Sequence, residues 1–226
     1  MRLASSPPLQ LTDISMATLI SLIRAHRLTL DTLCLSNIKL IGQEKLLDGC
    51  AGLELPALER LDLATVYSSE LNWLNANSLL TFARPLRYFF LDAGTFTVDD
   101  SFFPALGRNC STSLKKLCFS TYAQPHDIWS SIASFLSSLT SLEKLTLHEE
   151  AGRRQRLFPI FDVVEMINAV VSCAKTLRSV DWEAWGRLQP RELKFLTSRL
   201  INVVHFRMDV DYTMISWVRK TLCLGS

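Results

Sequence analysis

A six-residue apolar motif, L-x-x-L-x-L with other apolar residues allowed, returns along this chain at a fixed interval. It occurs at Leu30, Leu33 and Leu35, at Leu58, Leu61 and Leu63, and at Leu86, Phe89 and Leu91. It continues at Leu114, Leu117 and Phe119, then at Leu142, Leu145 and Leu147, so that four successive steps are each 28 residues. Two weaker copies follow: Leu177, Val180 and Trp182 after 35 residues, and Val203, Phe206 and Met208 after a further 26. A motif held in constant phase marks each interval as one structural unit that must stack on its neighbour to bury its apolar side.

Each motif alternates with period two, the pattern of a short strand with its apolar residues turned inward. Between the motifs lie stretches with helical spacing. Leu71, Leu74 and Leu79 carry it in ELNWLNANSLLTFA, Ile128, Ile132, Phe135 and Leu136 in PHDIWSSIASFLSSL, and Phe161, Val164, Ile167, Val170 and Val171 in FPIFDVVEMINAVVSCA. Pro125 and Pro159 stand near two of the helix starts, where a missing N–H costs little. Strands alternating with helices predict an α/β fold built on a parallel sheet.

The motif and its spacing resemble the leucine-rich repeats of the ribonuclease-inhibitor type over residues 10 to 222. The resemblance implies a solenoid of about seven repeats of roughly 28 residues, with a curved parallel sheet inside and helices outside. That family often carries Asn or Cys in the turn after the strand; the matching positions here are Ile38, Val66, Gly94, Tyr122 and Glu150, so that side-chain ladder is missing. Repeats this irregular are similar in style to those of F-box/leucine-rich-repeat proteins, which implies substrate recognition of the ubiquitin-ligase kind, although no F-box is visible. The alternatives are a structural or regulatory scaffold with no link to ubiquitin transfer and, less favoured, an enzyme using a site that this pattern does not reveal.

The whole chain, 1–226, reads as a single domain. Residues 1–29 form an N-terminal helix or partial repeat, with Leu11 to Ala25 helical and Thr12 or Asp13 as its cap. Residues 149–157 are an inserted loop, where charge clusters and the apolar pattern lapses. Residues 211–226 are a closing segment, helical from Asp211 to Leu224.

No nucleophile elbow, Walker loop, dinucleotide fingerprint or zinc-protease motif is present, so an enzyme is not expected and no cofactor is implied. The four histidines fall in different repeats, and the six cysteines form no C-x-x-C pair, so no metal site is expected. Scattered cysteines and the lack of an h-region place the expectation in the cytoplasm or nucleus. No apolar run reaches the ~20 residues that span a bilayer. With 24 basic against 22 acidic residues, nothing favours nucleic acid or a membrane surface. The expected partner is a protein, and the chain itself is expected to be a monomer.

The residues between the inward positions would project from the other face of the sheet. They include Thr32, Cys34 and Ser36, then Arg60, Asp62 and Ala64, then Tyr88, Phe90 and Asp92. They continue with Lys116, Cys118 and Ser120, with Lys144, Thr146 and His148, with Ser179, Asp181 and Glu183, and with His205, Arg207 and Asp209. Strands ~4.8 Å apart would spread this face over roughly 30 Å, a protein-sized footprint. Tyr88 and Phe90, flanked by Arg60 and Lys116, have the composition of a hot spot with a polar rim. They are simply core if the third repeat is twisted or covered. The candidate binding residues are therefore Arg60, Asp62, Tyr88, Phe90, Lys116, Lys144, His148 and Asp181, with Arg153 and Arg154 of the inserted loop as a separate basic patch. Cys34 and Cys118 would share one row of the face about 14 Å apart, too far for a disulfide.

Overall fold

The computed structural model describes residues 2–4, 12–41, 53–67, 73–74, 86–92, 97–121, 128–149, 163–183 and 190–208. Seven motif strands are formed: β3 (Thr32–Ile41), β4 (Arg60–Tyr67), β6 (Tyr88–Asp92), β8 (Lys116–Thr121), β9 (Lys144–Glu149), β10 (Ser179–Glu183) and β11 (His205–Met208). They lie side by side in that order, every pairing parallel. The register keeps the phase of the sequence repeat, so Thr32, Arg60, Tyr88, Lys116 and Lys144 stand in one row at successive steps of 28 residues. Parallel neighbours need a crossover of a dozen or more residues, and the repeat length supplies it.

Five helices are described: α1 (Met16–Ala25), α2 (Phe102–Cys110), α3 (Ile128–Ser138), α4 (Val163–Ser172) and α5 (Pro190–Arg199). They all lie against the face that carries the motif residues. Met16, Leu19 and Ile23 of α1, Phe102 and Phe103 of α2, Phe135 of α3, Val170 of α4 and Leu196 of α5 join the inward strand residues in one continuous core. An aromatic cluster ties its middle together: Phe103 lies 5.2 Å from Phe102, 5.4 Å from Phe119 and 5.6 Å from Phe135, ring centre to ring centre. Gly107 lets α2 approach α3 closely, since a Cβ there would stand 3.1 Å from Ser138 Oγ and 3.3 Å from Phe135 Cδ2. The last strand is less covered: Phe206 is 37% exposed in the row where Val180 of the preceding strand is 1% exposed.

A main-chain ladder repeats at the entry to each strand. The Asp31 carbonyl accepts N–H groups from Glu59 and Arg60 at 2.8 and 3.0 Å, and the Glu59 carbonyl does the same for Arg87 and Tyr88. Arg87, Lys115, Glu143 and Arg178 continue the pattern up to His205. Side chains stitch the same turns. Ser113 Oγ donates to the Leu86 carbonyl at 2.9 Å, Ser141 Oγ to Thr112 at 2.8 Å, and the buried Cys173 thiol to Leu136 at 3.1 Å. The repeat's side-chain ladder therefore runs before the strands, while Ile38, the position after the first motif, is a core residue 1% exposed.

Two sequence expectations need correction. Helix α1 starts at Met16, with Ser15 as its N-cap and no side-chain capping bond, so neither Thr12 nor Asp13 is the cap. Instead β2 (Thr12–Ser15) pairs with Ile38–Ile41 of β3, and β1 (Arg2–Ala4) pairs with Cys34–Ser36 on the same edge. The unpaired N–H and C=O groups of that edge offer a ladder that a frayed first helical turn cannot match. Next, Leu74 is not helical: β5 (Trp73–Leu74) pairs in parallel with β7 (Thr97–Val98). Three asparagines, Asn72, Asn75 and Asn77, already weakened the helix there, while Leu71 and Leu79 lie outside the described residues.

Two of the helices, α2 and α5, have no counterpart among the helical stretches the sequence predicts. In α2 a proline falls in the first turn, where it is tolerated, and the Ser101 N–H bonded to Asp99 Oδ1 at 2.8 Å shapes the approach. In α5 Pro190 opens the helix, with Glu192 in the first turn and Arg199 in the last, the arrangement the helix dipole favours. The loop beyond Glu149 and the closing helix from Asp211 to Leu224 lie outside the described residues.

Candidate functional site on the open sheet face

The side of the sheet opposite the helices carries no packed layer among the described residues, and its side chains are half-buried or exposed apart from the buried Cys34. The register sets them in rows that cross the strands. The row nearest the strand starts reads Thr32, Arg60, Tyr88, Lys116, Lys144, Ser179 and His205. The next reads Cys34, Asp62, Phe90, Cys118, Thr146, Asp181 and Arg207. A third holds Asp92, Ser120, His148 and Glu183. Eight of the ten candidate binding residues thus share this face: Arg60, Asp62, Tyr88, Phe90, Lys116, Lys144, His148 and Asp181. Arg153 and Arg154 lie outside the described residues, as does Asp209.

Tyr88 and Phe90 project on the third of the seven strands and are half-buried, not part of the core. A shallow depression of ≈ 200 Å³ opens around them, lined also by Asp62, Lys116, Cys118, Lys144 and Thr146. Lys116 Nζ lies over the Tyr88 ring, 5.0 Å from its centre, a cation–π contact. Arg60 Nη2 bonds Asp62 Oδ2 at 3.2 Å along the same strand, and Arg207 Nη1 faces Asp181 Oδ2 at 3.6 Å. The other carboxylate oxygen of each aspartate, Oδ1, is buried without a hydrogen-bond partner among the described residues. Below the rows, at the strand entries, Lys115 Nζ bonds Glu143 Oε1 at 2.7 Å and Arg87 faces Glu59 at 3.6 Å. The Lys115 ammonium holds the Glu143 carboxyl below its ordinary range.

The thiols on and under this face are poor nucleophiles. Burial, reinforced by the charge of Asp62, pushes Cys118 up to about 12. Burial likewise raises Cys110 to about 12 and Cys173 to about 11, and Cys34 is raised by burial and by Asp62. A folded-state value above the ordinary 9.0 means that the protonated form persists as pH climbs from about 9 and gives way only near 12. In the folded chain, alkylation of the buried Cys110 and Cys173 by iodoacetamide near pH ~8 should run roughly a hundredfold or more slower than in the denatured chain. Peptide mass spectrometry with time reads this, and comparable rates in the two states would refute the buried-thiol assignment.

Cys34 and Cys118 share a row, separated by β4 and β6, and both are free thiols. Trp182 is buried at 1% exposure, whereas Trp185 is outside the described residues. Among the described residues, no group of three His, Cys, Asp or Glu side chains could hold a metal ion, and no helix is long and apolar enough to cross a membrane. That Asp62 pairs through Oδ2 with Arg60 of its own strand, and Asp181 with Arg207 of the next, was not legible in the sequence, because it depends on the side-chain geometry of the assembled sheet. The chain matches no protein-family model and no curated protein.

Proposed function

We propose that this chain is a leucine-rich-repeat solenoid of about seven repeats that binds a partner protein on the open face of its sheet, by recognition and not by catalysis. The observation that supports it is the placement of Tyr88 and Phe90. Two aromatic rings stand half-buried in a depression on a sheet face that carries no packed layer among the described residues, with Arg60 and Lys116 on the strands to either side. Large rings ringed by charge, on a scaffold ordered before binding, are what concentrates interface energy in few residues. The resemblance to F-box/leucine-rich-repeat proteins makes the partner of that version a substrate awaiting ubiquitin transfer.

Affinity co-purification with mass spectrometry tests the reading, comparing the native chain with Tyr88→Ala/Phe90→Ala after its fold is checked by circular dichroism. Loss of a specific partner with the double variant is the expected result, since hot-spot truncations cost about 2 kcal/mol or more each. A cullin adaptor in the native eluate would support the ubiquitin-ligase version. The same partners recovered by both forms would remove the open face from consideration.

A further inference from the structure

The near-balance of 24 basic and 22 acidic residues conceals an uneven distribution over the surface. Carboxylates gather at the helix starts, with Asp99 and Asp100 before α2, Glu165 in the first turn of α4 and Glu192 in that of α5. Cations gather at the helix ends and in the turns that enter the strands. Arg24, Arg108 and Arg199 stand in the last turns of α1, α2 and α5, and Arg27, Arg87, Lys115, Lys175 and Arg178 stand in the turns before strands. Helix dipoles favour this polarity, which leaves the entry edge of the sheet basic.

The two most exposed large apolar side chains among the described residues sit on that same edge, in one turn: Ile201 at 81% and Val204 at 74%, between α5 and β11. Neither is a core position. Ile201 stands where the repeats before it place Thr112, Thr140 and Lys175, and Val204 where they place Arg87, Lys115, Glu143 and Arg178. Three cations surround the turn. Lys175 is exposed, and its carbonyl accepts Asn202 Nδ2 at 3.3 Å. Arg178 Nη1 donates to the Asn202 carbonyl at 3.4 Å, and Arg199 lies over the Phe195 ring, 5.6 Å from its centre. None of the three has an ion pair among the described residues.

The carboxylates of this edge are engaged or distant. Glu143, one strand step from Arg178, is bonded to Lys115 at 2.7 Å, and Glu59 faces Arg87. Asp31 and Glu54 precede β3 and β4, five or more steps from β11, or about 24 Å and beyond along the sheet. Glu192 lies two turns back, at the start of α5.

We infer that the turn from α5 into β11 docks on an anionic bilayer surface, a contact independent of the open sheet face. Lys175, Arg178 and Arg199 meet the headgroup charge, and Ile201 and Val204 enter the boundary between headgroups and acyl chains. The contact lies on the membrane and does not span it. A nucleic-acid strand would engage the cations but offer the two aliphatic side chains no acyl layer to enter, whereas a bilayer engages both.

The test is co-sedimentation of the full chain with vesicles of phosphatidylcholine and phosphatidylserine in equal parts, against vesicles of phosphatidylcholine alone. The chain should sediment with the first and not the second, and raised salt should release it. Lys175→Glu/Arg199→Glu should weaken binding by roughly twentyfold or more, at about fivefold for each cation removed. Ile201→Ser/Val204→Ser should weaken it by roughly fivefold or more. All four positions are exposed, and circular dichroism checks the fold; Lys175→Glu and Val204→Ser alone replace a pair that unfolds. Lys39→Glu, exposed near the far end of β3, should leave binding unchanged. Equal sedimentation with both vesicle types, indifference to either pair of substitutions, or no sedimentation at all would overturn the inference. Binding of a labelled oligothymidine in place of the mixed vesicles, lost with the charge reversal and untouched by Ile201→Ser/Val204→Ser, would assign the turn to nucleic acid instead.

Discussion

Truncating Phe103 to alanine should lower the stability of the chain by about 3–5 kcal/mol, the cost of removing a fully buried phenyl ring. The residue is 1% exposed and touches rings from three elements: Phe102 beside it on α2, Phe119 on β8 and Phe135 on α3. Phe102 in turn meets Phe89 of β6 at 6.1 Å. The loss therefore combines apolar transfer with a cavity that cannot close, because Gly107 already brings α2 and α3 to near-contact distance. Phe103→Leu retains most of the volume and should cost less than about 1.5 kcal/mol if neighbours repack. Guanidinium unfolding followed by circular dichroism measures both. A change under about 1 kcal/mol for the alanine variant would show that the aromatic cluster is not the centre of the core.

Truncating Trp182 to alanine should cost a similar amount, about 3–5 kcal/mol, but should be felt in a different place. The indole is 1% exposed on β10, paired in register with Leu147 of β9 and Met208 of β11. In this architecture each strand packs on the strands to either side, and the helices α2 to α5 pack in succession. Coupling is then transmitted from neighbour to neighbour, and a defect near one end loosens that end first. Hydrogen–deuterium exchange should show amides of β10, α5 and β11 losing protection in Trp182→Ala while those of β4, β6 and β8 keep it. In Phe103→Ala both sides of the break should lose protection. Uniform loss throughout the Trp182 variant would mean that the chain unfolds as one cooperative block.

The contrast between these variants shows how far the sequence carried. The repeat phase places Phe119, a neighbour of Phe103, and Phe89, a neighbour of Phe102, in the core, because a motif position of period two admits only one face. Helix α2 itself is not legible in the sequence, since FFPALGRNC is short and holds a proline and a glycine. Its stability comes from packing on the strands and on α3, which no local propensity encodes. The opposite error occurred at Trp73 and Leu74, where helical spacing was real but the backbone found a strand partner in Thr97 and Val98. The N-terminal edge follows the same logic: Arg2–Ala4 and Thr12–Ser15 are strands because β3 is long enough to offer them donors and acceptors.

The candidate site divides along the same line. Alternation within each motif and a constant step between motifs determined, without coordinates, which residues face away from the core and which of them share a row. That information is one-dimensional, and a repeating chain writes it directly. What each side chain does within its row was decided by tertiary structure alone. Lys116 leans on Tyr88, Arg60 turns to Asp62, and Arg207 turns to Asp181. Those outcomes depend on distances of a few ångströms between residues 28 and 26 apart in sequence in two cases, and on the competition between near neighbours in the third. A pattern of apolar residues sets the address of a polar side chain, while its bonding is settled only when the strands are laid side by side.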